Sequence, residues 1–71
     1  MKEREKQLLK DIWKLTKGQP YKSEAINLVG SDKQLHFYLE KWTNKGWWEY
    51  GVTVRTGWFT PKGVEHFKLL I

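Results

Sequence analysis

The chain has 71 residues, 39% of them apolar and 30% charged, with no cysteine and thirteen Lys and Arg against eight Asp and Glu, a net charge of +5. One domain over residues 1–71 is the expectation, with a core dense in large side chains; disulfides, thiolate metal sites and thiol nucleophiles are excluded. No apolar run approaches the roughly 18 residues of a membrane span, and the charged start, residues 1–6, is no signal peptide, so a cytoplasmic protein is expected.

Residues 3–17 read as a helix. Leu8, Leu9, Ile12, Trp13 and Leu15 form one apolar stripe, and Lys6, Lys10, Lys14 and Lys17 run down the other side as a solvated face. Gly18 ends the helix and Pro20 prevents its resumption. Ser23 can cap a second, short helix over residues 24–29, with Glu24 in its first turn and Ala25, Ile26 and Val29 as its apolar face. Two turns do not stand without packing. Gly30 closes it.

Ser31-Asp32-Lys33-Gln34 is then a capping box, Ser at the N-cap and Gln three positions on. It opens a third helix, residues 31–45. Leu35, Leu39 and Trp42, bordered by Tyr38, fall on one face. At about 100° per residue the opposite face carries Lys33, Phe37, Glu40 and Asn44, flanked by Gln34, His36 and Lys41. Gly46 is the expected residue just past the helix end.

The period then changes. Residues 47–60 are aromatic, β-branched and dotted with glycine, which predicts a hairpin with its tip near residues 52–55. No Asn-Gly or Asp-Gly marks the tip, so the register stays open, and with it the face of each Trp. Thr60-Pro61 opens a last short helix, Thr as N-cap and Pro at its first position, with Val64, Phe67 and Leu70 or Ile71 as its apolar face.

This order of elements resembles the winged helix-turn-helix domain. Leu39-Glu40-Lys41-Trp42-Thr43-Asn44-Lys45-Gly46-Trp47 looks like the L-x-x-L-x-x-K-G-L end of the recognition helix in MarR-, ArsR- and PadR-like regulators, with Trp42 and Trp47 in place of leucines. Arg55 followed by Phe59-Thr60-Pro61-Lys62-Gly63 resembles their R-x-x-x-L-T-x-x-G signature, and residues 19–23 fit the short strand before the second helix. The resemblance spans essentially the whole chain. It implies an α+β winged helix: a three-helix core, a β-hairpin wing and a short C-terminal helix. It also implies sequence-specific binding of double-stranded DNA by a small transcriptional regulator of prokaryotic or phage type. The third helix would enter the major groove and the hairpin would serve as wing.

Carried over by position, Lys33, Gln34, His36 and Phe37, with Asp32, would read bases. Gln34 suits adenine, Lys33 guanine and Phe37 a thymine methyl. Lys41, Lys22 and the Ser23 hydroxyl would touch phosphates, and Thr53, Arg55 and Thr56 would be the wing contacts. A homodimer through the N-terminal and C-terminal helices, residues 67–71 included, would match a palindromic site.

Two features depart from the family pattern. Phe37 stands where an Arg or other polar residue is common, and Asp32 and Glu40 put negative charge on the same face. They keep open a second reading, a winged helix that binds a protein partner through Phe37, Glu40 and exposed hairpin aromatics. Lys2, Arg4, Lys6, Lys10, Lys14 and Lys17 fall in or beside the first helix, so the basic excess is not concentrated on the reading face. Five tryptophans are first of all core material; a stacking platform of Trp47, Trp48, Tyr50 and Trp58 for single strands is the sharper alternative. His66 reads as an exposed residue of structural role. His36 and His66 lie too far apart in sequence to make more than half a metal site, and scattered carboxylates form no catalytic pair. Neither an enzyme nor a cofactor is expected.

Overall fold

The computed structural model describes residues 1–25 and 33–71. Among them, three helices and a two-stranded antiparallel hairpin make an α+β fold. Helix α1, Glu3–Thr16, starts with Glu3 and Glu5 in its first turn, where carboxylates oppose the positive end of the helix dipole. Its buried line is Glu5, Leu8, Leu9, Ile12 and Thr16. The stripe read from the sequence is therefore rotated. Positions 5, 9, 12 and 16 repeat at helical spacing and face the core, while Trp13 and Leu15 flank them and are only half-buried. The helix also ends one residue early. Lys17 turns left-handed at φ 56°, followed by Gly18 at φ 66°, whose N–H donates to the Trp13 carbonyl at 3.1 Å. A Cβ on Gly18 would stand 2.7 Å from the Trp13 ring, so this turn needs glycine.

The expected strand at residues 19–23 is replaced by turn. Pro20 is followed by Tyr21 at φ 68°, and a left-handed residue cannot continue an extended strand. The Tyr21 N–H still donates to the Phe59 carbonyl at 3.1 Å, which ties the segment to the hairpin. Of the expected helix at residues 24–29, only Glu24 and Ala25 are described, and Ala25 is buried. Ile26, Val29, Gly30, Ser31 of the capping box and Asp32 lie outside the described residues.

Helix α2, Lys33–Asn44, buries Leu35, Tyr38, Leu39 and Trp42, the face its spacing predicts. It closes in a Schellman motif. Trp47 N–H bonds to the Trp42 carbonyl at 2.9 Å, Gly46 N–H to the Thr43 carbonyl at 3.0 Å, and Gly46 has φ 83°.

Strands β1, Trp48–Glu49, and β2, Trp58–Phe59, pair with Trp48 opposite Phe59 and Glu49 opposite Trp58. The ladder is shorter than a hairpin over residues 47–60 would give, and its loop folds inward. Val52 is the 90% exposed apex, but Val54–Thr56 makes a 3₁₀ turn packed against α2. Val54 is buried, and its carbonyl accepts from the Trp48 indole N–H at 2.8 Å. Burying that indole requires an acceptor, and the returning loop supplies it.

Helix α3, Pro61–Lys68, begins as its sequence predicts. The Thr60 hydroxyl oxygen accepts from Gly63 N–H at 2.9 Å and its proton goes to the Gly46 carbonyl at 2.7 Å, so one cap joins the ends of two helices. Phe67 is fully buried, Val64 packs against the core, and Leu70 and Ile71 are exposed. Phe67 therefore belongs to the core and not to the surface of the expected dimer.

The centre of the core is Trp42. Its ring lies 4.9 Å from that of Phe67, 6.1 Å from Phe59 and 6.3 Å from Trp48. One side chain of α2 thus meets both strands and α3. Each such aromatic removes about 150–250 Å² from water, which is how so short a chain closes a core.

Candidate nucleic-acid interface

The buried stripe of α2 leaves its other face outward. Lys33, Gln34, His36, Phe37, Glu40 and Asn44 are all exposed. Phe37 is 64% exposed and meets the Tyr38 ring edge-on, with the centroids 5.3 Å apart. His36 Nε2 and Glu40 Oε1 are 3.1 Å apart, one helical turn from each other. This offsets the negative charge of Glu40 when the imidazole is protonated.

Two of the expected contact residues are held from behind. Gln34 Oε1 accepts from Arg4 Nε at 3.0 Å. Lys41 Nζ lies 3.0 Å from Glu5 Oε1 in an ion pair. The other oxygen of Glu5 accepts from the Trp42 indole N–H at 2.8 Å, and Glu5 is only 1% exposed. Glu5 is the residue that sequence reasoning missed, because it sits among charged neighbours. Its register with Leu9 and Ile12 was the available signal.

The second group of expected contacts comes from the hairpin loop and from residues 22 and 23. Ser23 Oγ donates to the Thr56 carbonyl at 2.6 Å. Thr56 Oγ1 donates to the Thr53 carbonyl at 3.0 Å, and the two hydroxyl oxygens lie 3.2 Å apart. These bonds bring Ser23, Thr53 and Thr56 together beside the 3₁₀ turn that packs on α2. Lys22 and Thr53 are exposed, while Arg55 and Thr56 are half-buried. Of the tip expected near residues 52–55, Val52 and Thr53 are exposed, while Val54 turns into the core.

The aromatic residues of the hairpin region divide. Trp48 is buried, Trp47 and Trp58 are half-buried, and Tyr50 is exposed. His66 stacks on Trp47 at 3.8 Å and 11°, so it is half-buried and covers that ring, where the sequence suggested an exposed side chain. A stacking platform made of all four aromatics is not present. Trp58 Nε1 is buried with no hydrogen-bond partner among the described residues.

Two adjoining hollows lie beside α1 and α2, and the second also reaches α3. One, of about 540 Å³, is lined by Met1, Lys2, Glu5, Phe37, Tyr38 and Lys41. The other, of about 350 Å³, lies between Met1, Lys45, Trp47, His66 and Leu70 and shares Glu5 and Lys41 with the first. Among the described residues no three Asp, Glu or His side chains cluster as metal ligands would, and no helix is long and apolar enough to cross a membrane.

The outward groups of α2 supply ammonium and amide donors, an imidazole and an apolar ring, a set that can address base edges and methyl groups in a groove. No protein-family model, curated protein or solved structure matches the chain.

Proposed function

We propose that this protein binds double-stranded DNA sequence-specifically as a small transcriptional regulator, with α2 in the major groove and the 47–60 hairpin as the wing of a winged helix. The observation that carries this reading is the outer face of α2. A helix about 10–12 Å across fits a groove about 12 Å wide. This one holds itself rigidly by Leu35, Leu39 and Trp42 while Lys33, His36 and Phe37 stay exposed on its first two turns. In this reading Lys33 donates to guanine, Phe37 meets a thymine methyl, and Gln34, steadied by Arg4, presents its amide N–H to an acceptor. In this reading Lys22, Ser23, Thr53, Arg55 and Thr56 make the backbone contacts, and the Ser23–Thr56 bond holds two of them together. A homodimer would use exposed Leu69, Leu70 and Ile71 with the start of α1.

One observation favours a second reading. Phe37 borders the larger hollow, so the same face offers an apolar knob beside a cleft, as a protein-docking surface does. Selection from a random duplex DNA library at two salt concentrations separates the two. An enriched motif supports the regulator, and a palindrome within it supports the dimer. Absence of binding at the lower salt overturns the DNA reading in favour of a protein partner.

A further inference from the structure

The Glu5 carboxylate is buried, and both of its oxygens are used on α2, by residues 36 and 37 positions away. Oε2 fixes the indole of Trp42 and with it the rotation of α2 about its own axis, because Trp42 lies on the buried seam. Oε1 holds the ammonium of Lys41, which is the one cation on the C-terminal half of the outward-facing helix. Phosphate binding gains its free energy from counterions released as protein cations neutralise phosphates. A lysine already neutralised by a fixed carboxylate at 3.0 Å brings no net charge to that exchange. Lys41 keeps its place beside Phe37 without adding to general affinity for nucleic acid.

We propose that Glu5 is a positioning residue for the α2 face: through Trp42 it sets which side chains point outward, and through Lys41 it withholds one cation from the phosphate backbone. This deepens the DNA-binding reading and rests on it. Two roles are joined in one side chain. A regulator must prefer its site over bulk DNA, and non-specific affinity grows with every unpaired cation on the face. Glu5 lowers that background while keeping the reading side chains in register.

The test uses the full chain and a 30-base-pair duplex of arbitrary sequence, titrated over a fourfold range of salt. Glu5→Gln keeps one acceptor oxygen for the Trp42 indole and sets an amide NH2, itself a donor, opposite Lys41, so the ion pair is lost. The slope of log affinity against log salt is expected to steepen by about 0.9, the increment for one more neutralised phosphate. Over fourfold salt that is roughly a threefold larger loss of affinity. The double variant Glu5→Gln with Lys41→Met, which leaves no buried charge unpaired, is expected to return the slope to that of the unmodified protein. Circular dichroism confirms folding of each variant. Equal slopes for the unmodified protein and Glu5→Gln overturn the role of Glu5 while leaving the DNA reading intact. A steepened slope that persists in the double variant overturns the assignment to Lys41. No duplex binding by either protein at the lowest salt overturns the DNA reading itself, and this inference with it.

Discussion

The two faces of α2 share one backbone and differ in everything else. On the inner face Leu35, Leu39 and Trp42 have no exposed surface, and Trp42 touches aromatic rings from both strands and α3. On the outer face the described side-chain bonds are few: His36 to its own helical neighbour Glu40, and Gln34 to Arg4. A close-packed face resists any change of shape, whereas an exposed one tolerates it. In the proposed DNA-binding reading, stability and recognition fall on opposite sides of one helix, and substitutions should separate them. Lys41 lies at the seam between the two and answers to both.

The largest expected effect is on the inner face. Trp42→Ala should lose about 3–5 kcal/mol of unfolding free energy, read by urea denaturation. A variant close to the unmodified protein in stability would break the comparison at its root. Gly63→Ala sharpens it from the opposing wall. In an open helix this change would stabilise by up to about 1 kcal/mol. Here the new Cβ would overlap the carbonyl oxygen of Trp47, so a loss of about 1–3 kcal/mol is expected. A gain would mean that α3 does not press on the start of the hairpin.

On the outer face the effect should move from folding to binding. Lys33→Ala is expected to cost about 1–3 kcal/mol in affinity for a selected DNA site and to relax the preference at one base position. Its urea midpoint should stay in place. Thr60→Ala, distant from that face, should remove about 1 kcal/mol of stability through loss of the α3 cap, with no change in preferred sequence. Smallest of all, Phe37→Ala should alter stability by less than about 0.5 kcal/mol, although it removes an aromatic ring. A larger loss would place Phe37 in the structural half of the helix.

Both faces of α2 were legible in the sequence because its apolar positions repeat at helical spacing without interruption. The C-terminal stop of α2 and the start of α3 were legible for a similar reason. Gly46 and Thr60-Pro61 act within a few residues of themselves, so their backbone consequences need no distant partner. The face of α1 was read one notch away from the truth. Leu15 and Trp13 are apolar like Leu9, and the helical register that puts Glu5 and Thr16 in line with Leu9 and Ile12 is outweighed by their polarity. The hairpin tip was read near residues 52–55, but the inward turn at Val54 was not legible because no turn signature marks the loop. Its inward path follows from the need of the buried Trp48 indole for the Val54 carbonyl.

Composition and spacing alone determined a small α+β chain, a helix read over residues 31–45 and found as Lys33–Asn44 with one buried and one open face, and its glycine stop. These features depend on side-chain volume, period and backbone freedom, all of which are properties of neighbouring residues. Only the tertiary structure decided that Glu5 is buried against Lys41 and Trp42, that Ser23 bonds to Thr56, and that His66 lies on Trp47. Each of these joins groups 19 to 37 positions apart. A buried carboxylate or indole takes whatever partner the packing brings within hydrogen-bond reach, and that partner is chosen by the closing of the whole core.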